Sequence, residues 1–150
     1  MTFNLTKDQI EIQARAREIA STLVAQNAVE VDKSEQYPWD NVKALTDAGF
    51  VGMTIPKAYG GPGRNFLEAN LVVEEMAAYC GPTGRIAVEA NMGAISAVMH
   101  YGTDFQKRLA ADLVLAGDKP AICITEPDAG SAASQMTTRA DKRGDKYVIN

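Results

Sequence analysis

The chain is poor in residues that carry chemistry unaided. Its 150 residues include one histidine, His100, and two cysteines, Cys80 and Cys123. No serine or cysteine nucleophile pattern surrounds His100, so it reads as a packed or helix-end residue rather than a catalytic base. The cysteines lie far apart and have neither metal-ligand nor redox spacing. Both are expected to be buried free thiols in a reducing compartment. Basic charge is scarce as well: 15 Lys and Arg stand against 19 Asp and Glu, giving a net charge of −4. With no Lys/Arg cluster, nucleic acid is not an expected partner. No run of about 18 apolar residues occurs, so no membrane span is expected. Met1-Thr2-Phe3-Asn4 has neither the basic start nor the apolar stretch of a signal peptide, and a cytoplasmic location is expected. Repeats and low-complexity tracts are also absent.

What is present suffices for a core: 46% of the residues are hydrophobic and 23% charged, an ordinary balance for a globular chain. Thr6-Lys7-Asp8-Gln9 is a capping box, and Ile12, Ala16, Ile19, Leu23 and Val24 then mark one face of a helix. A loop is expected near Asp32–Gln36. Pro38 suits the first position of a second helix that ends at Gly49. Phe50–Pro56 reads as extended and Ala58–Arg64 as a glycine-rich loop. Asn65-Phe66-Leu67-Glu68 starts a third helix, which stops near Cys80-Gly81-Pro82. Gly84–Tyr101 reads as one helix, and Thr103-Asp104-Phe105-Gln106 starts a last one that closes at Gly117. Glu74, Glu75 and Glu89 are expected on solvated helix faces, and Met76, Met92 and Met99 as packing residues.

The pattern changes after Gly117. Ala121–Thr125 has the length and composition of a strand. Thr137–Ala140 and Lys146–Ile149 flank a hairpin turn at Asp141–Asp145. One strand and a hairpin are marginal alone. The expectation is therefore a mainly α domain, residues 1–118, followed by the first strands of a β domain, residues 119–150, as a fragment of an α+β protein. The Val72, Val73 and Met76 stripe is expected to be an apolar face left open for a missing domain.

The apolar run from Ala121 leads into Thr125-Glu126-Pro127-Asp128-Ala129-Gly130-Ser131. Pro127 forces a turn, Gly130 lets a ligand approach the backbone, and Ser131 sets a hydroxyl beside it. Such a loop suits a phosphate or a planar heterocycle with hydrogen-bonding edges. On the residues alone, a simple strand with a tight turn is an equal alternative.

This segment resembles the Thr-Glu-Pro-x-Ala-Gly-Ser signature of the acyl-CoA dehydrogenase family of flavoproteins. Further blocks resemble the family in order: Ala48-Gly49-Phe50-Val51-Gly52 with Tyr59-Gly60-Gly61-Pro62-Gly63, then Tyr101-Gly102-Thr103 with Gln106-Lys107, then Gly144-Asp145-Lys146-Tyr147-Val148-Ile149-Asn150. The resemblance implies FAD as cofactor, an acyl-CoA thioester as substrate and a homo-oligomer, a tetramer in the full-length parent. It also implies an electron-transfer flavoprotein as partner if the parent is a dehydrogenase. Ile122, Cys123, Ile124, Thr125, Gly130 and Ser131 would line FAD. Ile124 and Thr125 would face the isoalloxazine edge, Gly130 and Ser131 the pyrophosphate, and Ser131 also the CoA side. The family's catalytic base comes from a C-terminal domain, so no catalytic residue is expected here. Ala132 and Ile122 depart from the residues many members carry, and both bear on the reaction subtype more than on cofactor binding.

Arg85 follows Gly81-Pro82-Thr83-Gly84 and precedes Ile86, Ala87 and Val88. By itself it is an exposed arginine at a helix start, where the dipole slightly disfavours it. In the family this segment borders the acyl pocket, where Arg85 would pair with an anionic acyl terminus and Met92 would touch the acyl chain. Gln36-Tyr37-Pro38-Trp39-Asp40-Asn41-Val42, Ala111–Ile124 and Gly130–Ser134 resemble the 3-sulfinopropionyl-CoA desulfinases of this superfamily. That likeness implies release of sulfite without the usual base. An ordinary α,β-dehydrogenation and a non-catalytic helical interaction module remain the alternatives.

Overall fold

Capping boxes set the helix starts. In the computed structural model, which describes residues 4–150, Thr6 Oγ1 accepts from the Gln9 N–H at 3.2 Å and the Gln9 side chain accepts from the Thr6 N–H at 3.0 Å. This begins α1 (Lys7–Ile19). The same reciprocal pair, Asn65 with Glu68 and Thr103 with Gln106, begins α4 (Phe66–Ala77) and α7 (Asp104–Leu115).

α1 continues without a break through a π turn, Ala20–Val24, into α2 (Ala25–Ser34). The expected loop at Asp32 therefore starts later, at Glu35, whose left-handed φ of 53° ends the helix. Ile12, Ala16, Ala20 and Val24 are all buried. A strict four-residue spacing drifts by about 40° per step on a regular α-helix, and the wider π turn takes up that drift. α3 (Trp39–Asp47) starts one residue later than expected, because Pro38 has ψ 74°, outside helical geometry. It ends where Gly49 takes φ 73°.

Phe50–Pro56 is not extended. Gly52 at φ 70° turns the chain, which packs Phe50, Val51, Met53 and Ile55 into the core. The expected helix Gly84–Tyr101 is two helices, α5 (Gly81–Asn91) and α6 (Ala94–Tyr101). Buried Asn91 drives the break. Its amide donates to the carbonyls of Phe50 and Ala87, its Oδ1 accepts from Met53 N–H, and its own carbonyl accepts from the Thr54 hydroxyl. A side chain so committed to the Phe50–Thr54 turns fixes the helix end there.

The core lies between α1, α3, α4 and α5, around Leu45, Phe50, Ile55, Val72 and Met76. Val72 and Met76 are fully buried, so the apolar face expected there is internal. The open apolar surface lies instead on α6 and α7, at Tyr101, Phe105, Leu109 and Leu113. Glu75 is not on a solvated face either. It is 7% exposed and receives a bidentate contact from Arg17 at 2.7 and 3.0 Å, which ties α4 to α1. Cys80 is buried as expected, but Cys123 is exposed.

The C-terminal hairpin pairs β1 (Ala140–Arg143) with β2 (Lys146–Ile149) in the register Ala140 to Ile149. Its turn is the two residues Gly144-Asp145, tighter than expected, with Gly144 at φ 65°. Ala121–Thr125 is not a strand, since no described strand lies beside it to supply a ladder. Among the described residues, no helix is long and apolar enough to cross a membrane, and no cluster of His, Cys, Asp and Glu could hold a metal.

Candidate functional site

The segment after α7 is held against the helices by a cation between two rings. Lys119 Nζ lies 4.9 Å from the Tyr37 ring centroid and 5.2 Å from that of Trp39, and the two rings meet edge to face at 4.7 Å. This contact sets Pro120, Ala121 and Ile122 beside α5. Together with Tyr37, Arg85, Ile86 and Glu89 they line a groove of about 270 Å³. Burial, reinforced by Asp118, pushes the Tyr37 phenol above its ordinary 10.0, so it is a neutral donor at physiological pH. Pro120 and Ala121 also line an apolar cleft of about 200 Å³ with Ala94, Ile95, Val98 and Leu113 of α6 and α7.

Arg85 stands at the groove with its side chain 66% exposed and pairs with Glu89 one turn along α5. Ile122 is the one residue expected to contact cofactor that this groove brings next to Arg85. Met92 lies apart from it, at the C-terminal cap of α5, and is half-buried.

Ile122–Thr125 is exposed, and among the described residues none of its backbone N–H groups donates to a protein acceptor. The chain then folds on itself at Glu126 and Ala129, which exchange backbone hydrogen bonds of 3.1 and 3.2 Å. Glu126 closes the loop. Its carboxylate accepts from the N–H groups of Thr137 and Thr138 at 2.8 and 2.9 Å and from the Thr137 hydroxyl at 3.1 Å. Hydrogen bonds from Thr138 and Thr137 hold it at about 2, well below its ordinary 4.5. Gly130 and Ser131 follow this turn. Both are exposed, and a Cβ at Gly130 would meet open space. Free backbone donors at Ile122–Thr125 and Gly130–Ser131, with two hydroxyls between them, are a donor set suited to a ring edge and a phosphate. These residues therefore fit a flavin dinucleotide.

The sequence did not single out Tyr37, Lys119 or Glu89 as site residues. The first two carry no local signal, since their contact joins positions far apart in the sequence. Glu89 follows Arg85 at the four-residue spacing of a helical ion pair, which was the available clue.

The described residues thus form a bundle of short helices, three of them opened by capping boxes, leading into an open loop of free donors. The family described as acyl-CoA dehydrogenase, N-terminal domain, matches residues 6–118, and the chain belongs to the acyl-CoA dehydrogenase family. The chain is 62% identical to a 3-sulfinopropanoyl-CoA desulfinase of Variovorax paradoxus, over 99% of this chain and 37% of that protein. It is 57% identical to the desulfinase of Cupriavidus necator, over 99% of this chain and 38% of the relative. A short-chain specific acyl-CoA dehydrogenase of Clostridium acetobutylicum is 36% identical over 100% of this chain and 40% of its own. Among solved structures, butyryl-CoA dehydrogenase from Megasphaera elsdenii superposes with a TM-score of 0.88 at 29% identity, covering 100% of this chain and 40% of that one. A glutaryl-CoA dehydrogenase from Mycobacterium smegmatis in complex with FADH2 superposes with a TM-score of 0.86 at 28% identity, covering 97% and 38%. This chain thus spans about two fifths of the length of these relatives.

Proposed function

We propose that the chain is the N-terminal part of an FAD-dependent enzyme that releases sulfite from 3-sulfinopropanoyl-CoA. The observation that carries this reading is the groove in which Arg85 lies beside Ile122, the first residue of the cofactor-facing segment. The 62% identity to a desulfinase supports it. Residues 1–118 are the helical domain and 119–150 the start of a β domain. Ile122, Cys123, Ile124 and Thr125 offer backbone donors to the flavin ring, and Gly130 and Ser131 to its pyrophosphate, with Ser131 also serving the CoA side. Bound there, FAD supplies an electron-accepting ring whose affinity for electrons the surrounding donors tune.

Arg85 binds the sulfinate. Its planar guanidinium matches two oxygens of one anion, which fixes the acyl chain by its far end. Ile122, Ile86 and Ala121 give an apolar wall for the acyl chain to lie against. In the overall reaction the Cβ–sulfur bond breaks, and water supplies hydrogen to carbon and hydroxide to sulfur. The products are propionyl-CoA and hydrogen sulfite, with no net oxidation. The enzyme works in the cytoplasm as a homotetramer.

The test is sulfite release from 3-sulfinopropanoyl-CoA by the full-length flavoprotein, with and without Arg85→Lys. Release should fall at least tenfold in the variant while flavin absorbance per protein stays constant. The 36% identity to a dehydrogenase favours a second reading, oxidation of a plain acyl-CoA with electrons passed to an electron-transfer flavoprotein. Butyryl-CoA oxidation without sulfite release, indifferent to Arg85→Lys, would establish that reading instead. A purified parent without flavin absorbance would leave only a helical interaction module.

A further inference from the structure

Glu89 has no task in the reading above, yet both its oxygens are engaged. Its side chain is only 13% exposed. Oε2 accepts from the Ala94 N–H at 3.2 Å, across the break between α5 and α6. Gly93 makes that reach possible: a Cβ there would lie 2.1 Å from Oε2, so any side chain would displace the carboxylate. Oε1 pairs with Nη2 of Arg85. An exposed ion pair one turn apart on a helix contributes little by itself. Here one partner is nearly buried and anchored to a backbone donor, so the direction of the pair is set. A guanidinium has five N–H donors, and among the described residues Glu89 is the one partner of Arg85, through Nη2. The remaining donors are left for a ligand.

We propose that Glu89 is a positioning residue that holds Arg85 at the groove, ready for a carboxylate or sulfinate on the acyl terminus. The proposal rests on the reading of Arg85 given above. A bidentate contact needs the guanidinium plane in one orientation, and ordering a long side chain on binding costs affinity. Glu89 orders it beforehand.

Succinyl-CoA and butyryl-CoA are suitable probes, since one acyl chain ends in a carboxylate and the other in a methyl. Their affinities are measured by calorimetry on the full-length FAD-loaded protein, for the wild type, Arg85→Ala, Glu89→Gln, Glu89→Asp and the double variant Arg85→Ala/Glu89→Gln. Glutamine keeps an oxygen for the Ala94 N–H but loses the ion pair, so the helix break is preserved. The succinyl-to-butyryl affinity ratio should fall about tenfold in Glu89→Gln, the ordering cost of one long side chain. It should be intermediate in Glu89→Asp, which also carries the test if Glu89→Gln melts early. In the Arg85→Ala background Glu89→Gln should add nothing, a dependence that a purely structural role would not show. A ratio unchanged or raised by Glu89→Gln, with Arg85→Ala still lowering it, would overturn the role of Glu89 and leave that of Arg85. A ratio indifferent to Arg85→Ala would overturn both.

Discussion

Glu126 shows how one residue in the loop signature acts on its surroundings rather than on a ligand. Its carboxylate gathers Thr137 and Thr138 and so pins the segment after Ser131 to the turn before it. Its folded value is lowered, to about 2 from 4.5, so the charged form favours the closed loop. That contribution is complete above pH 4.5 and is lost as the pH falls through the folded value. We expect the amide resonances of Thr137 and Thr138 to titrate together near pH 2, and that titration to vanish in Glu126→Gln. Independent titration of the two amides, or movement near pH 4.5, would show that the latch is open in solution. The sequence could mark this loop as unusual from Pro127, Gly130 and Ser131 because those residues act locally. It could not show Glu126 as a latch, because the partners lie eleven and twelve residues on and their identity is set by the return of the chain. Glu75 was misread for the same reason: its partner Arg17 is on another helix, and nothing within α4 marks it.

At the scale of elements, what acts within one turn was legible. The three capping boxes, the stop at Gly49 and the stop at Gly117 each depend on side chains or φ angles a few residues apart. The α5–α6 break was not, since Ala, Val, Ile and Met at helical spacing run through it, and the cause is Asn91 bonding to a distant turn. The close contact of α4 with α5 has a similar hidden cause. A Cβ at Gly84 would lie 2.6 Å from the Ala77 Cβ, whereas one at Gly81, in the first turn of the same helix, would meet nothing within 4 Å. Alanine raises helix propensity by about 1 kcal/mol over glycine at an interior position, but overpacking two helices costs about 1–3 kcal/mol. Gly84→Ala should therefore lower the stability of the chain by up to about 2 kcal/mol in urea denaturation, with Gly81→Ala neutral or slightly stabilising. Equal midpoints for the two variants would mean that α4 and α5 can separate without cost.

The whole molecule is a well-packed set of helices followed by thirty residues that bury little. Tyr101 is 91% exposed, Phe105 74%, Leu109 49% and Leu113 47% along α6 and α7, a concentration of open apolar surface unusual for a monomer. The 150-residue chain alone is expected to self-associate at micromolar concentration and to retain no stoichiometric FAD, as measured by light scattering and flavin absorbance after gel filtration. A monodisperse monomer carrying one flavin would contradict this. The only tryptophan of the sequence is Trp39, half-exposed and touching Lys119. Its indole therefore sits where the helices meet the segment that leads to the Glu126–Ser131 loop. Removal of the Lys119 ammonium, or movement of that segment, alters the polarity around the single indole of the sequence. The protein carries its own optical gauge of that junction, readable from emission wavelength and quenching without any label.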